Sequence, residues 1–117
     1  MRKSIGGAMS LTLNNQFKKL YQKGDSQVYP SVVVYAKRNG QKNNRLGITV
    51  SKKIGKAVTR NRAKRRLREV YRTNSAQLST GFDFVLVARG RTATVPFSKL
   101  NADFLHAADK LGVLKNE

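Results

Sequence analysis

Three observations predict an α+β fold with a mixed sheet and helices packed on it. Residues 31–37 and 45–51 alternate apolar and polar with period two. Residues 82–88 form a nearly continuous apolar run. Three other stretches carry apolar residues at helical spacing, giving the order helix, strand, strand, helix, strand, helix.

The first helix starts at Asn14, where Asn14 or Asn15 caps it. Phe17, Leu20 and Tyr21 then fall at i, i+3 and i+4, and Gly24 is the stop. The ten residues before the helix region are small and glycine-containing, so 1–10 is expected to be a loose tail, with Met9 an alternative start. Val28 leaves room for a further short strand. In residues 31–37, Val32, Val34 and Ala36 share one face, and Ser31, Val33, Tyr35 and Lys37 share the other. Asn39-Gly40, in a polar stretch reaching Asn44, marks a hairpin connection. In residues 45–51, Leu46, Ile48 and Val50 face one way and Gly47, Thr49 and Ser51 the other. One sheet face is therefore greasy and covered. The opposite face, with an aromatic, small residues and cations, suits a surface on which something is laid.

Lys52 to Gly55 form a basic loop. Thr59 is the expected cap of a long helix reaching about Gln77, with Ala63, Leu67, Val70, Tyr71 and Leu78 on its apolar side. Ser79-Thr80-Gly81 ends it. The apolar run from Phe82 to Ala88 points to a central strand. The last helix spans about 96–111, with Phe97, Leu100, Phe104, Ala107, Ala108 and Leu111 inward.

The chain has 117 residues, enough for one core and one domain, 1–117. Lys and Arg number 24 against 6 Asp and Glu, a formal charge of +18. Such a surplus repels itself unless a polyanion neutralises it, and nucleic acid is the commonest one. With no cysteine, disulfides and thiolate metal sites are excluded. No apolar run approaches the length of a membrane span, and the first residues are too weakly apolar for a signal peptide. The expected location is the cytoplasm, with no membrane association.

Residues 52–72 hold ten cations and one acid, Glu69. Arg60, Lys64, Arg68 and Arg72 recur at i+4 and form a stripe away from Leu67, Val70 and Tyr71. A merely solvated helix face mixes charge signs at this spacing. This one does not, so it reads as a phosphate-binding face, and its many guanidinium groups suit bidentate contacts. Phe17 suits the core as well as a stacking role. Tyr35 stands opposite the valines, and rings beside a basic groove are what single-stranded nucleic acid stacks on. Gly47 and Thr49 leave room for a strand of RNA on that face. Catalysis by the chain itself is hard to build. The six acids offer no close pair for two-metal cleavage, and the single histidine, His106, sits between core positions. No phosphate-binding glycine loop followed by Lys-Ser/Thr is present.

The stretch Val50-Ser51-Lys52-Lys53-Ile54-Gly55-Lys56-Ala57-Val58-Thr59-Arg60-Asn61-Arg62-Ala63-Lys64-Arg65 resembles the RNR signature of the bacterial ribonuclease P protein family. The resemblance extends over about residues 11–112. It implies a two-layer α+β sandwich with about four strands and three helices, ribosomal protein S5 domain 2-like. It also implies a left-handed β–α–β crossover through the basic helix, which patterning could not suggest, because right-handed crossovers are the strong default. The activity it implies is endonucleolytic removal of the 5′ leader of precursor tRNA, with the chemistry carried by a catalytic RNA and its bound Mg²⁺. No catalytic residue and no metal ligand is expected in this chain, and no obligate protein partner. By matched position, Lys52, Lys53, Lys56, Arg60, Asn61, Arg62, Lys64, Arg65 and Arg68 would contact the catalytic RNA. Phe17, Tyr21, Val33, Tyr35 and Lys37 would line the leader cleft. One departure stands out: Leu11-Thr12-Leu13-Asn14 is uncharged where members of the family commonly carry cations. The rival reading is a ribosomal-protein-like rRNA binder, which the charge suits equally but the cleft aromatics and the signature do not.

Overall fold

A computed structural model describes residues 4–5, 8–10 and 14–115, with side chains from Phe17 onward. The elements are β1 (Ser4–Ile5), β2 (Ala8–Ser10), α1 (Asn14–Lys23), β3 (Asp25–Tyr29), β4 (Val32–Arg38), β5 (Arg45–Thr49), α2 (Ala57–Asn74), β6 (Phe82–Ala88) and α3 (Phe97–Leu111). One mixed sheet runs in the order β1-β2-β5-β6-β4-β3. Helices α2 and α3 cover one face, where Val32, Val34, Leu46, Phe84 and Leu86 meet Leu67, Val70, Tyr71, Leu100 and Phe104. Each such side chain contributes about 1.5–3 kcal/mol when fully buried. Helix α1 lies on the other face, where Leu20 and Val85 form a smaller cluster with Phe17, Tyr35 and Val87.

The period-two assignment of β4 is right: Val32, Val34 and Ala36 are buried, while Val33, Tyr35 and Lys37 are half-exposed. Ser31 departs from it. It precedes the strand, is fully buried, and is held by Asp103 of α3. The strand allowed for near Val28 is β3, paired antiparallel with β4.

Four expectations are corrected. The segment 1–10 is not simply a loose tail, because β1 pairs with β2, and β2 pairs parallel with β5 at Met9–Arg45 and Ser10–Leu46. The connection after β4 is not a hairpin. Strand β6 lies between β4 and β5, antiparallel to the first and parallel to the second. The apolar run of β6 gains a neighbour on each edge this way, and the polar groups of the connection cap its start instead of pairing two adjacent strands. The Asn39 N–H donates to the Gly81 carbonyl, and the Phe82 N–H donates to Asn44 Oδ1. Helix α2 begins at Ala57 with Lys56 at the cap position, two residues before Thr59, and passes into a 3₁₀ turn at Ser75–Gln77. Phe97, expected inward, is 37% exposed at the first turn of α3. The expected cap at Asn14 or Asn15 lies outside the described side chains.

Gly24 fixes how closely α1 approaches the sheet. A Cβ there would stand 2.6 Å from the Leu20 carbonyl oxygen and 3.1 Å from that of Ala36, so any larger residue pushes the helix end off β4.

Two carboxylates are spent on the architecture. Asp83 receives both Arg45 Nε (2.7 Å) and Nη2 (2.6 Å), and also Asn39 Nδ2 at 3.0 Å. Asp103, buried in α3, accepts the Ser31 N–H (3.2 Å) and Oγ–H (2.7 Å), with Lys99 Nζ at 3.0 Å. Burial pushes the Asp103 carboxyl up, but the Ser31 hydroxyl, Lys99 and the Ser31 N–H together outweigh it and hold the pKa below its ordinary 3.8. A depressed folded pKa stabilises the native state fully above the unfolded value. That contribution fades as the pH falls through the lower folded pKa. Asp103→Ala leaves the Ser31 donors unpaired and is expected to cost about 1–3 kcal/mol. Urea unfolding as a function of pH checks both points: the gap between the variant and the native chain should narrow as the pH falls through the folded pKa, by the part that depends on the charge. In the same core, burial pushes the Tyr71 phenol up to about 12, against a smaller downward pull from Asn44, so it is neutral throughout the useful range.

Candidate nucleic-acid interface

The basic segment is displayed by the connection from β5 to β6. After β5 the chain makes a 3₁₀ turn at Lys52–Ile54, then passes Gly55 at φ 145°, a conformation that favours glycine. Helix α2 buries Ala63, Leu67, Val70, Tyr71 and Asn74 against the core. That apolar stripe fixes what must point outward. Lys52, Lys53, Lys56, Asn61, Arg62, Lys64, Arg65 and Arg68 are all exposed. Arg60 is half-buried, and its Nε has no hydrogen-bond partner.

Ion pairs among the described residues go elsewhere, to Arg45–Asp83, Arg72–Glu69 and Lys99–Asp103. They leave the cations of the signature unpaired. Two other arginines of α2 are engaged within the protein. Arg66 turns to the loop before α3 and donates to the carbonyls of Ala93 (Nη1, 2.8 Å) and Val95. Arg72, the last member of the i+4 stripe, pairs with Glu69, whose carboxyl is held below the usual range chiefly by the Arg72 hydrogen bond. The sequence could not show that these two guanidinium groups have partners inside the protein.

The aromatic residues of the expected cleft do not form one row. Phe17 and Tyr21, one turn apart on α1, line an open groove of about 420 Å³ with Ile48, Thr49, Val50 and Lys64. Their ring centroids are 6.5 Å apart. Tyr21 is 42% exposed, and its hydroxyl shares a 2.9 Å hydrogen bond with Thr49 Oγ1. Tyr35 lies beneath it, edge to face at 5.0 Å, half-buried in the small cluster under α1. Val33 is half-buried between Val28 of β3 and Val87 of β6. Lys37 lines a different pocket, with Lys23 and Arg38.

Sequence reasoning missed Ile48 and Val50 as groove residues. Alternation assigned them to the covered face, and both do pack against the main core there, but β5 ends at Thr49 and their half-buried side chains also reach the groove. Lys64 is the residue that joins the two surfaces. It belongs to the cationic face of α2 and also walls the groove of Phe17 and Tyr21.

Comparison with known proteins gives the family of the chain. The family model described as Ribonuclease P matches residues 6–112. The chain belongs to the ribonuclease P protein family. It is 36% identical over 106 residues to the ribonuclease P protein component of Alkaliphilus oremlandii, covering 91% of this chain and 93% of the relative. With the corresponding component of Thermoanaerobacter pseudethanolicus it shares 41% identity over 100 residues, 86% of this chain and 84% of the relative. The structure of the Staphylococcus aureus RNase P protein superposes with a TM-score of 0.80 at 29% identity, covering 97% of this chain and all of that one, 100%. The Thermotoga maritima RNase P protein gives a TM-score of 0.74 at 34% identity, over 83% of this chain and 92% of that one. A ribonuclease P subunit with three helices on a mixed sheet is therefore the established frame. Among the described residues, no helix is long and apolar enough to cross a membrane.

Proposed function

We propose that the chain docks on the RNA of ribonuclease P through the exposed face of α2 and the turn before it, and guides the 5′ leader of precursor tRNA along the groove beside that face. The observation that carries this reading is the meeting of two surfaces at Lys64. One is a set of cations without an ion pair among the described residues (Lys52, Lys53, Lys56, Arg60, Arg62, Lys64, Arg65 and Arg68, with Asn61 among them). The other is an exposed aromatic groove. Phosphate contacts on the first supply affinity that is indifferent to sequence. Rings on the second offer π surfaces to unpaired bases, and every base has one, so many leaders are accepted. Tyr35 supports Tyr21 from below, Val33 belongs to the sheet floor, and Lys37 acts further along.

The cleavage chemistry is assigned to the RNA subunit with its Mg²⁺. Three of the chain's acids are engaged by cations: Asp83 by Arg45, Glu69 by Arg72 and Asp103 by Lys99. No group of three His, Cys, Asp or Glu converges among the described residues to hold a metal ion. The protein's part is to lower phosphate repulsion between the RNA subunit and its substrate, which reduces the Mg²⁺ the complex needs. The cytoplasm is the compartment this function calls for, and no further protein is required.

Reconstitution tests this reading. The chain alone should not cleave precursor tRNA. Added to ribonuclease P RNA at low Mg²⁺, it should restore cleavage at the mature 5′ end. Accurate Mg²⁺-dependent cleavage by RNA-free protein would place the chemistry in this chain and refute the assignment.

A further inference from the structure

Outside the α2 face and its groove, a second basic pocket of about 290 Å³ opens where the ends of α1, β4 and α3 meet the start of β6. Lys23 comes from the last turn of α1, and Lys37 and Arg38 from the end of β4, with Phe82 and Val113 among the apolar lining. Asp25 is the one acid that lines it. None of the three cations takes part in an ion pair among the described residues, and Lys37 Nζ makes only a long 3.4 Å contact to the carbonyl of Arg38. The Arg38 guanidinium carbon stands 5.1 Å from the centre of the Phe82 ring. Arg38 is exposed, so its guanidinium sits over Phe82 and stays within reach of solvent.

We propose that this pocket binds one unpaired ribonucleotide, with its base stacked on the Arg38–Phe82 pair and its phosphate between Lys23 and Lys37. Arginine planes and aromatic rings are the surfaces on which splayed-out RNA bases stack. Two mobile ammonium groups beside them supply the point charges a phosphate needs. The volume admits a single nucleotide and excludes a duplex. This inference rests on the reading of the chain as an RNA-binding ribonuclease P subunit, and adds a contact separate from both surfaces that reading uses. It also gives Lys37 a role away from the groove. Lys37 shares the strand face of Tyr35 but lies about 7 Å further along β4, at roughly 3.3 Å per residue.

The nucleotide comes either from the distal leader or from an unpaired segment of the ribonuclease P RNA, and one set of measurements separates these sources. Holoenzymes are assembled from the RNA and the native chain, Arg38→Ala or Arg38→Lys. Two affinities are measured, that of chain for RNA and that of holoenzyme for precursor tRNA with a short or a long leader. Arg38→Ala should weaken one of them by at least about fivefold, the low end for loss of a stacked base. A loss confined to long leaders identifies the leader as the source. A loss in chain–RNA affinity that ignores leader length identifies the RNA subunit. Arg38→Lys, which keeps the charge but not the plane, should lose nearly as much. Unchanged affinities in both assays overturn the proposal, and so does full rescue by Arg38→Lys. Failure of the native holoenzyme to prefer precursor over mature tRNA would instead count against the leader groove. Thermal unfolding of the variants should match the native chain, because Arg38 is exposed.

Discussion

A triple variant, Arg62→Ala with Arg65→Ala and Arg68→Ala, is expected to bind ribonuclease P RNA about a hundredfold more weakly than the native chain at 0.15 M salt. All three side chains are exposed on α2 and make no ion pair among the described residues, so each can displace one condensed counterion from a phosphate. Counterion release gives roughly 0.7–0.9 units of log–log salt slope per contact, so three contacts carry about 2–3 units, or close to two decades at that salt. Stability should hold or rise, because the chain carries a formal charge of +18 and the substitutions relieve part of its self-repulsion. Arg66→Ala is the informative contrast. It loses bonds to the Ala93 and Val95 carbonyls, so it should cost stability with little change in salt slope. Titrations of RNA binding against salt, paired with thermal melts, check both results. An unchanged slope in the triple variant would mean that these cations only face water.

The second large effect is expected at Tyr21. It is the more exposed ring of the Tyr21–Tyr35 pair, it faces the groove, and Tyr35 backs it at 5.0 Å. Stacking on an aromatic is worth about 1–3 kcal/mol per base, so Tyr21→Ala should weaken holoenzyme binding of precursor tRNA roughly 5- to 150-fold. Mature tRNA, which has no leader, should bind as before. Tyr21→Phe keeps the ring and gives up only the hydroxyl's bond to Thr49, so it should stay near the native value. Tyr35→Ala is a poorer probe, because removing a half-buried ring from the cluster under α1 also disturbs the helix that carries Phe17 and Tyr21. Equal losses for precursor and mature tRNA in Tyr21→Ala would show that the ring serves the fold and not the leader.

The basic face was legible in the sequence because its signal is local. Cations of one sign at i+4, next to an apolar stripe at Ala63, Leu67, Val70 and Tyr71, leave a helix one way to lie. The central place of β6 was legible for a similar reason, since an apolar run without alternation needs cover on both faces. Strand order was not. Asn39-Gly40 has the look of a tight hairpin, and nothing within that segment reveals that β6 will arrive from more than 40 residues later to separate β4 from β5. The β-pairing of Ser4–Ile5 and Ala8–Ser10 was hidden too, because segments so short carry no usable period. For the site, parity put Tyr35 and Lys37 on the correct face of β4 but said nothing about position along it. Tyr21 lines one groove with Lys64, and Lys37 lines another pocket with Lys23 at the end of α1. Nor could composition tell free cations from occupied ones. Arg66 and Arg72 read like their neighbours until their partners at Ala93, Val95 and Glu69 are in view.

The most direct test of the account compares precursor with mature tRNA. Their affinities are measured for ribonuclease P RNA alone and for the RNA with this chain bound, at one fixed salt and Mg²⁺ concentration. If the chain grips the RNA through α2 and presents its aromatic groove to the leader, adding it should tighten precursor binding far more than mature binding. The ratio of the two affinities should then rise by about the factor that Tyr21→Ala removes. A ratio unchanged by the chain would contradict the account, because it would leave the groove of Phe17, Tyr21 and Lys64 with no part in recognising the substrate.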